Sequence, residues 1–393
     1  MKSLRVLVAI VPLALAGPSG GASGQTLTTL HSFSGDDGFM PHVGLVQVNN
    51  GSFYGVTAAG GSGDNGVVFK ITRAGKFMVL HDFTGGADGG FPAGLVKGQS
   101  SQFFGTTLLG GSNPFCPGCG TVFKILAAGR LTTLFSFFGD GDGANPLGGL
   151  TLGSDREFYG STLGGPLSVF GTVYKITSKG DVTPLWQFSG GIDGGAPVAP
   201  PVEGNDGNFY GTTLGGPRSL DGTIFKITSA GTLTPLYSFT GGSDGGGPNG
   251  LVQGTDGNFY GTTAYGGTNI NSGFGTVFQM SPEGTLITLH RFGGADGRAP
   301  VAELVQAGDG DFYGTTVAGG TSDHGTVFKI SSAGTFTMLH SFGGGSDGST
   351  PEGPVLQGSD GNFYGTTIFG GTSTNCGSAG CGTVFQLSVP LSP

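Results

Sequence analysis

Asp256-Gly257-Asn258-Phe259-Tyr260-Gly261-Thr262-Thr263 decides how this 393-residue chain is read, because close copies of it return along nearly the whole length. Counted by the second aromatic, the copies fall at Tyr54, Phe104, Tyr159, Tyr210, Tyr260, Tyr313 and Tyr364, seven units spaced 50 to 55 residues apart. A fixed period of that size marks a repeat architecture, and it overrides the two or three ordinary domains that length alone would suggest.

Outward from the motif, Leu251-Val252-Gln253 precedes the Asp256-Gly257 turn and reads as strand a, with Asn258 to Thr263 as strand b. An Asp-Gly pair between two apolar runs supplies the positive φ angles that a tight hairpin requires. Beyond Gly266-Gly267 and a loop of varying length, Gly275 to Met280 reads as strand c. The turn Glu283-Gly284 then leads to strand d, Thr285 to Phe292. Four short antiparallel strands in about fifty residues make a propeller blade. Gln25 to Phe33 matches strand d, whereas the last unit stops after its strand c, Gly382 to Leu387. Pairing the two would remove two sheet edges that otherwise invite aggregation. The sequence therefore predicts an all-β, seven-bladed β-propeller of four-stranded antiparallel blades. Its ring is closed by the N-terminal strand at 25–33 joining the last blade, in one domain over 25–393.

Glycine contributes 85 residues and proline 21, a share that without a period would read as low complexity. Here both recur at fixed offsets between Val, Ile, Phe and Thr runs, as turns do between strands. The net charge is −9, and the 16 basic residues do not cluster, which argues against nucleic acid and anionic membrane surfaces as partners. Residues 1–24 read as a signal peptide and flexible lead. Lys2 and Arg5 precede the apolar run Val6 to Ala16, which closes on Ala14-Leu15-Ala16 before a Gly/Ser-rich stretch. That run is too short for a spanning helix, no second hydrophobic segment follows, and Ser388 to Pro393 reads as no anchor. The expectation is a soluble monomer without membrane insertion, secreted or periplasmic after removal of the leader.

The repeated D-G-N-F-Y-G-T-T and G-T-V-F-K-I segments resemble the GloVer-type tandem-repeat proteins of bacteria. The resemblance covers residues 26 to 389, with losses such as Phe104 for Tyr and Gly66-Val67 for Gly-Thr. It implies an exported repeat protein with no catalytic residues to carry over. Family members are often joined to surface-anchoring tails, of which this chain shows none. The repeat is also distantly similar to sensor-domain propellers bearing a G-N-L-W motif at the same place.

The a–b and c–d turns are short in every unit, while the b–c loops vary most. Antiparallel topology places the b–c loops on the same face as the d–a connections, and variable loops on a rigid scaffold are where binding residues usually sit. Candidate ligand-binding residues on that face are His42, Phe115, Phe170, Asn269, Asn271, Phe274 and His324, suited to a glycan, a peptide or another exported protein. Two slots break the repeat. Where strand a enters, Glu303 replaces Gly or Pro, and three residues further along a Gln slot (Gln47, Gln253, Gln306, Gln357) holds Glu203 in the fourth unit. The expectation is an exported non-catalytic binding or structural module; the alternatives are an extracellular sensor or assembly module, and a carbohydrate- or lactone-active enzyme with Glu203 and Glu303 as candidate acid and base near the channel mouth. Carboxyls about 5 Å apart would fit a retaining glycosidase, and about 6.5–9.5 Å an inverting one.

An acidic turn recurs at Asp37, Asp88, Asp142, Asp193, Asp244, Asp296 and Asp347. Asp140 and Asp142 together form the most Ca²⁺-like copy, but most copies offer one carboxylate where Ca²⁺ takes six or more oxygens. A carboxylate bonded to its own backbone before a Gly explains all seven, so no metal and no cofactor are expected. His31, His81, His290 and His340 share a strand d slot with Phe135, Trp186 and Tyr237, which reads as a ring-packing position. Cys116, Cys119, Cys376 and Cys381 lie in two b–c loops. In an exported chain a disulfide within each loop is the simplest outcome, with redox chemistry and a metal site as the alternatives. No G-x-S-x-G, H-E-x-x-H or phosphate-loop motif is present.

Overall fold

Each repeat folds into one four-stranded antiparallel sheet, and the seven sheets follow one another in chain order. The computed structural model describes residues 25–99, 101–165, 170–215, 221–267 and 273–389; the leader at 1–24 lies outside them. In the fifth blade the strands are Gly246–Gln253, Phe259–Tyr265, Thr276–Met280 and Leu286–Arg291. The last blade takes its outer strand from the other end of the chain. Thr26–Ser32 pairs antiparallel with Thr383–Ser388, setting Leu27 opposite Leu387, and Phe33 just beyond is fully buried.

Packing between blades explains the paired aromatics of the repeat. The second aromatic of each blade lies against the first aromatic of the next, through Tyr54–Phe103, Phe104–Phe158, Tyr159–Phe209, Tyr210–Phe259, Tyr260–Phe312, Tyr313–Phe363 and Tyr364–Phe53. The ring centroids are 3.6–4.3 Å apart. The seventh contact joins the last blade to the first, so the ladder is itself a closed ring. Aromatic pairs of this kind add about 0.5–1.5 kcal/mol beyond their buried area.

The aspartate of the motif serves the same contact. The hydroxyls of Tyr159, Tyr210, Tyr260, Tyr313 and Tyr364 donate to the Asp four residues earlier, over 2.7–3.0 Å. Burial and that carboxylate together push the Tyr260 phenol up to about 12. In the second unit Phe104 has no hydroxyl to satisfy, and the residue four positions earlier is Ser100 rather than Asp.

The glycine that opens strand c is fixed from the next blade. A Cβ on Gly275 would lie 2.7 Å from Pro300 Cδ and 2.3 Å from the Thr263 carbonyl oxygen. Proline recurs at this place, and the residue before it is held at positive φ in every blade: Met40, Phe91, Asn145, Ala196, Gly247, Ala299 and Thr350. Only one of the seven is glycine, so six blades carry backbone strain of roughly 1–2 kcal/mol each. A closed ring of packed blades over-determines the conformation.

One repeat departure costs stability. Strand c carries Phe in six blades, but Tyr174 in the third, and its buried hydroxyl has no hydrogen-bond partner among the described residues. Burial holds its pKa far above the ordinary tyrosine value. Tyr174→Phe is expected to stabilise the fold by about 1–3 kcal/mol, the cost of an unsatisfied buried polar group. A denaturant midpoint at or below that of the native chain would contradict this.

Candidate functional site

The two faces of the disc are built differently. On the a–b turn face, the strand a slot reaches across to the a–b turn of the preceding blade. Gln47 accepts from Ser359 N–H, Gln253 from Asn205, Gln306 from Thr255 and Gln357 from Gly308, at 2.8–2.9 Å. Lys97 makes the equivalent reach to Asn49 as a donor. Glu203 does the work of the glutamines, accepting from the Ser154 N–H at 2.7 Å and from its hydroxyl. In the third blade the slot holds Leu152, which packs onto the Phe104–Phe158 cluster instead. These side chains tie blade to blade, so this face is occupied by its own scaffold.

The loop face carries the d–a acidic turns, and all seven aspartates accept a backbone N–H three or four residues earlier, from Ser34, Thr84, Phe138, Ser189, Thr240, Gly293 and Gly343. The strand d aromatic slot donates a second bond to the same carboxylates. His31, His81, Trp186, Tyr237 and His290 each reach their blade's aspartate at 2.8–3.1 Å, while His340 Nε2 lies 3.4 Å from Asp347, outside hydrogen-bond geometry. The slot therefore selects a ring with a polar edge, a refinement of the ring-packing reading.

Phe135 is the exception, and its aspartate, Asp142, responds. Without a ring donor, buried, and close to Asp140, its carboxyl is pushed up to about 6. An acid with a raised folded-state pKa binds its proton more tightly when folded, so its contribution to stability falls as pH rises from about 4 to about 6. Asp142→Asn, which keeps an acceptor for Phe138 N–H, is expected to flatten the pH dependence of melting in that window and raise the melting temperature at pH 7. Thermal melts at pH 4, 5, 6 and 7 read this out; an unchanged profile would refute it.

Both disulfides close within their own loops, Cys116–Cys119 and Cys376–Cys381, leaving no free cysteine among the described residues. Phe115, beside the first bridge, is 87% exposed. Phe170, Phe274 and His324 occupy one repeated slot just before the strand c glycine, where Cys119 and Cys381 also sit. Each packs over a glycine of the following d–a loop, Gly190, Gly294 and Gly344. Their shared task is to seat one loop on the next, and Phe170 and Phe274 still present more than two fifths of their surface. Asn269 and Asn271 lie outside the described residues.

Between the blades, at the entry of the a strands, lies a central cavity of about 650 Å³. Its walls are mostly Gly, Ala, Val, Leu and Pro, with His42, Asn249, Glu303 and Glu352 as its polar side chains apart from Thr151. Glu303 leans over the sixth blade's neighbour: a Cβ on Gly250 would fall 2.2 Å from its Oε1. Part of its surface opens to the cavity, yet the surrounding protein desolvates it and pushes its carboxyl up to about 7. Burial also raises Glu352 and lowers His42, whose Nδ1 lies 3.4 Å from the Met40 carbonyl. Glu203 is not among the lining residues, so it and Glu303 are employed on different tasks.

A second cavity, of about 540 Å³, adjoins on the loop face, and Leu214 and Gly247 line both. Phe170, Ala196 and Tyr265 form its apolar walls. Tyr265 lies against Gly246 and Gly247, where a Cβ would meet its ring at 2.4 and 2.8 Å, and its hydroxyl donates to Asp221. The sequence reading named His42, Glu303 and Phe170 among these residues and missed Glu352, Tyr265 and Asn249. Glu352 was findable, since it fills in the seventh unit the slot that His42 fills in the first.

Fold and site together define a repeat-built, seven-bladed β-propeller with an acidic central cavity opening toward its loop face. The chain belongs to the Gloeobacter/Verrucomicrobia repeat family, whose model matches residues 21–205 and 183–385. Comparison with curated proteins gives no match. Among solved structures it is similar to virginiamycin B lyase from Staphylococcus aureus, with TM-score 0.61 and 13% identity over 93% of this chain and 100% of that one. It is also similar to an extracellular domain, described as part of a hybrid two-component system, from B. thetaiotaomicron, with TM-score 0.58 and 11% identity over 93% of this chain and 42% of that one. A gluconolactonase from Xanthomonas campestris matches at TM-score 0.46 and 12% identity, over 74% of this chain and 82% of that one. At these identities the likeness is one of fold.

Proposed function

We propose that this protein is an exported, monomeric, non-catalytic binding module that takes a ligand from the loop face into the mouth of the central cavity. The observation that carries this reading is the contrast between faces. One is tied up in blade-to-blade hydrogen bonds from Gln47, Glu203, Gln253, Gln306 and Gln357, and the other holds two adjoining cavities. Concave, largely apolar sites with a few polar groups are the usual form of small-ligand sites. Two loop disulfides favour an oxidising compartment, and the likeness to an extracellular domain fits the same placement.

The rival reading is an enzyme, and it rests on Glu303, whose carboxyl near 7 suits a general acid or base. Glu203 accepts from Ser154 and is not among the cavity's described lining residues, which include no Ser or Cys nucleophile. A glycan and peptide array, with and without EDTA and paired with a glycosidase and lactonase screen, separates the two. Binding without turnover, abolished by filling the cavity with Gly250→Phe, supports the binding module; turnover lost in Glu303→Gln supports the enzyme. Binding lost on chelation would overturn the turn role of the seven aspartates.

A further inference from the structure

We propose that the ligand is an organic cation, an amine or ammonium group carried on an apolar or aromatic body, with the cation in the central cavity at Glu303 and the body against Phe170 and Tyr265. This deepens the binding reading above and rests on it.

The central cavity has acceptors and almost no donors to offer. Glu303 and Glu352 have no hydrogen bond or ion pair among the described residues, desolvation being the sole influence on either carboxyl. Asn249 spends both amide hydrogens, on Pro300 O at 2.8 Å and Thr262 Oγ1 at 3.2 Å, which leaves its carbonyl oxygen as its free group. No Lys or Arg lines the cavity among the described residues, and burial disfavours the charged form of His42, the one ionisable base there. A desolvated carboxylate without a partner is costly, and a bound cation supplies the missing charge and donors together.

Placement selects the rest of the ligand. Glu303 comes from the sixth blade but lies over Gly250 of the fifth, three residues from Gly247, which both cavities share. Beyond Gly247 the second cavity is lined by Phe170, Ala196, Leu214 and Tyr265, which gives it apolar walls and two rings. A head of one positive charge and an apolar body match the two halves. The aromatic faces add to the preference, since rings attract cations as well as apolar groups.

The test is calorimetric titration of the full-length mature protein with a series of ω-phenylalkylamines from two to six methylenes, and with the matching ω-phenylalkanols. The amines are expected to bind with an optimum chain length, at least tenfold more tightly than the alcohols. Glu303→Gln, nearly isosteric, is expected to remove that tenfold preference, and Phe170→Ala to weaken amines and alcohols alike; circular dichroism melts confirm that both variants are folded. Glu303, whose carboxyl lies near 7, ionises as pH rises from 5.5 to 8, so amine binding tightens across that range; Glu352, raised by burial, and His42, whose charged form burial disfavours, act in the same direction. Alcohols binding as tightly as amines, or an amine preference that survives in Glu303→Gln and Glu352→Gln, would overturn the cation while leaving a cavity-binding module in place. Amines failing to bind the native protein at all, while an array ligand does so, would likewise overturn it.

Discussion

A chain that starts at Gly35 instead of Gln25 is expected to lose its cooperatively melting fold and to associate with other copies. The missing segment supplies the outer strand of the last blade, pairing from Thr26–Ser388 to Ser32–Thr383, together with the fully buried Phe33. Phe33 packs on Phe69 and Phe77 of the first blade at 5.4 and 5.5 Å, so its loss opens the joint between the chain's two ends. The strand Thr383–Ser388 would then present an unpaired edge, a template for association with other copies. Light scattering after size exclusion should show oligomers or aggregate, and the sharp thermal transition should disappear. Phe33→Ala alone should cost about 3–5 kcal/mol, as buried Phe truncations do. Adding a peptide of residues 25–33 should restore monomers in part. A stable monomer from the shortened chain would show that the ring does not depend on this closure.

Tyr260→Ala is the second large effect, an expected loss of about 3–5 kcal/mol. Tyr260 is fully buried, lies 3.8 Å from Phe312 in the next blade, and donates its hydroxyl to Asp256 while accepting from Gln279. Tyr260→Phe keeps the ring contact and drops the hydroxyl, so it should cost only about 1 kcal/mol, the typical net worth of one hydrogen bond. The ratio of the two denaturant shifts separates ring packing from hydroxyl bonding. Equal losses in both variants would mean that the hydroxyl, not the ladder, holds the blades together.

How far the site was legible depends on how each residue relates to the repeat. The blade order and the closing strand could be read because turn glycines, strand propensities and period all agree. Cys116–Cys119 and Cys376–Cys381 could be read because each pair sits in one short loop. Glu203 misled because a carboxylate in a glutamine slot looks like a functional departure; only the Ser154 contact from the adjoining blade shows it as a substitute acceptor. Phe170, Phe274 and His324 looked like free loop residues until their common seat over a glycine showed one structural slot. Tyr265 carried no signal, since a tyrosine ends strand b in a single unit and gains its place from Gly246 and Gly247 beneath it.

The sequence by itself determined the architecture: seven units, four strands each, closed by 25–33, and a motif that is scaffold. Local propensity and period suffice for that, because each blade repeats the same short-range solution. Only the tertiary structure decided what the departures mean. Glu303, Glu352, Asn249 and His42 come from four different blades, and Phe170 and Tyr265 from two, separated along the chain by as many as 310 residues. Their meeting is a property of ring closure, which converts positions equivalent by repeat into neighbours in space, and no local pattern records it.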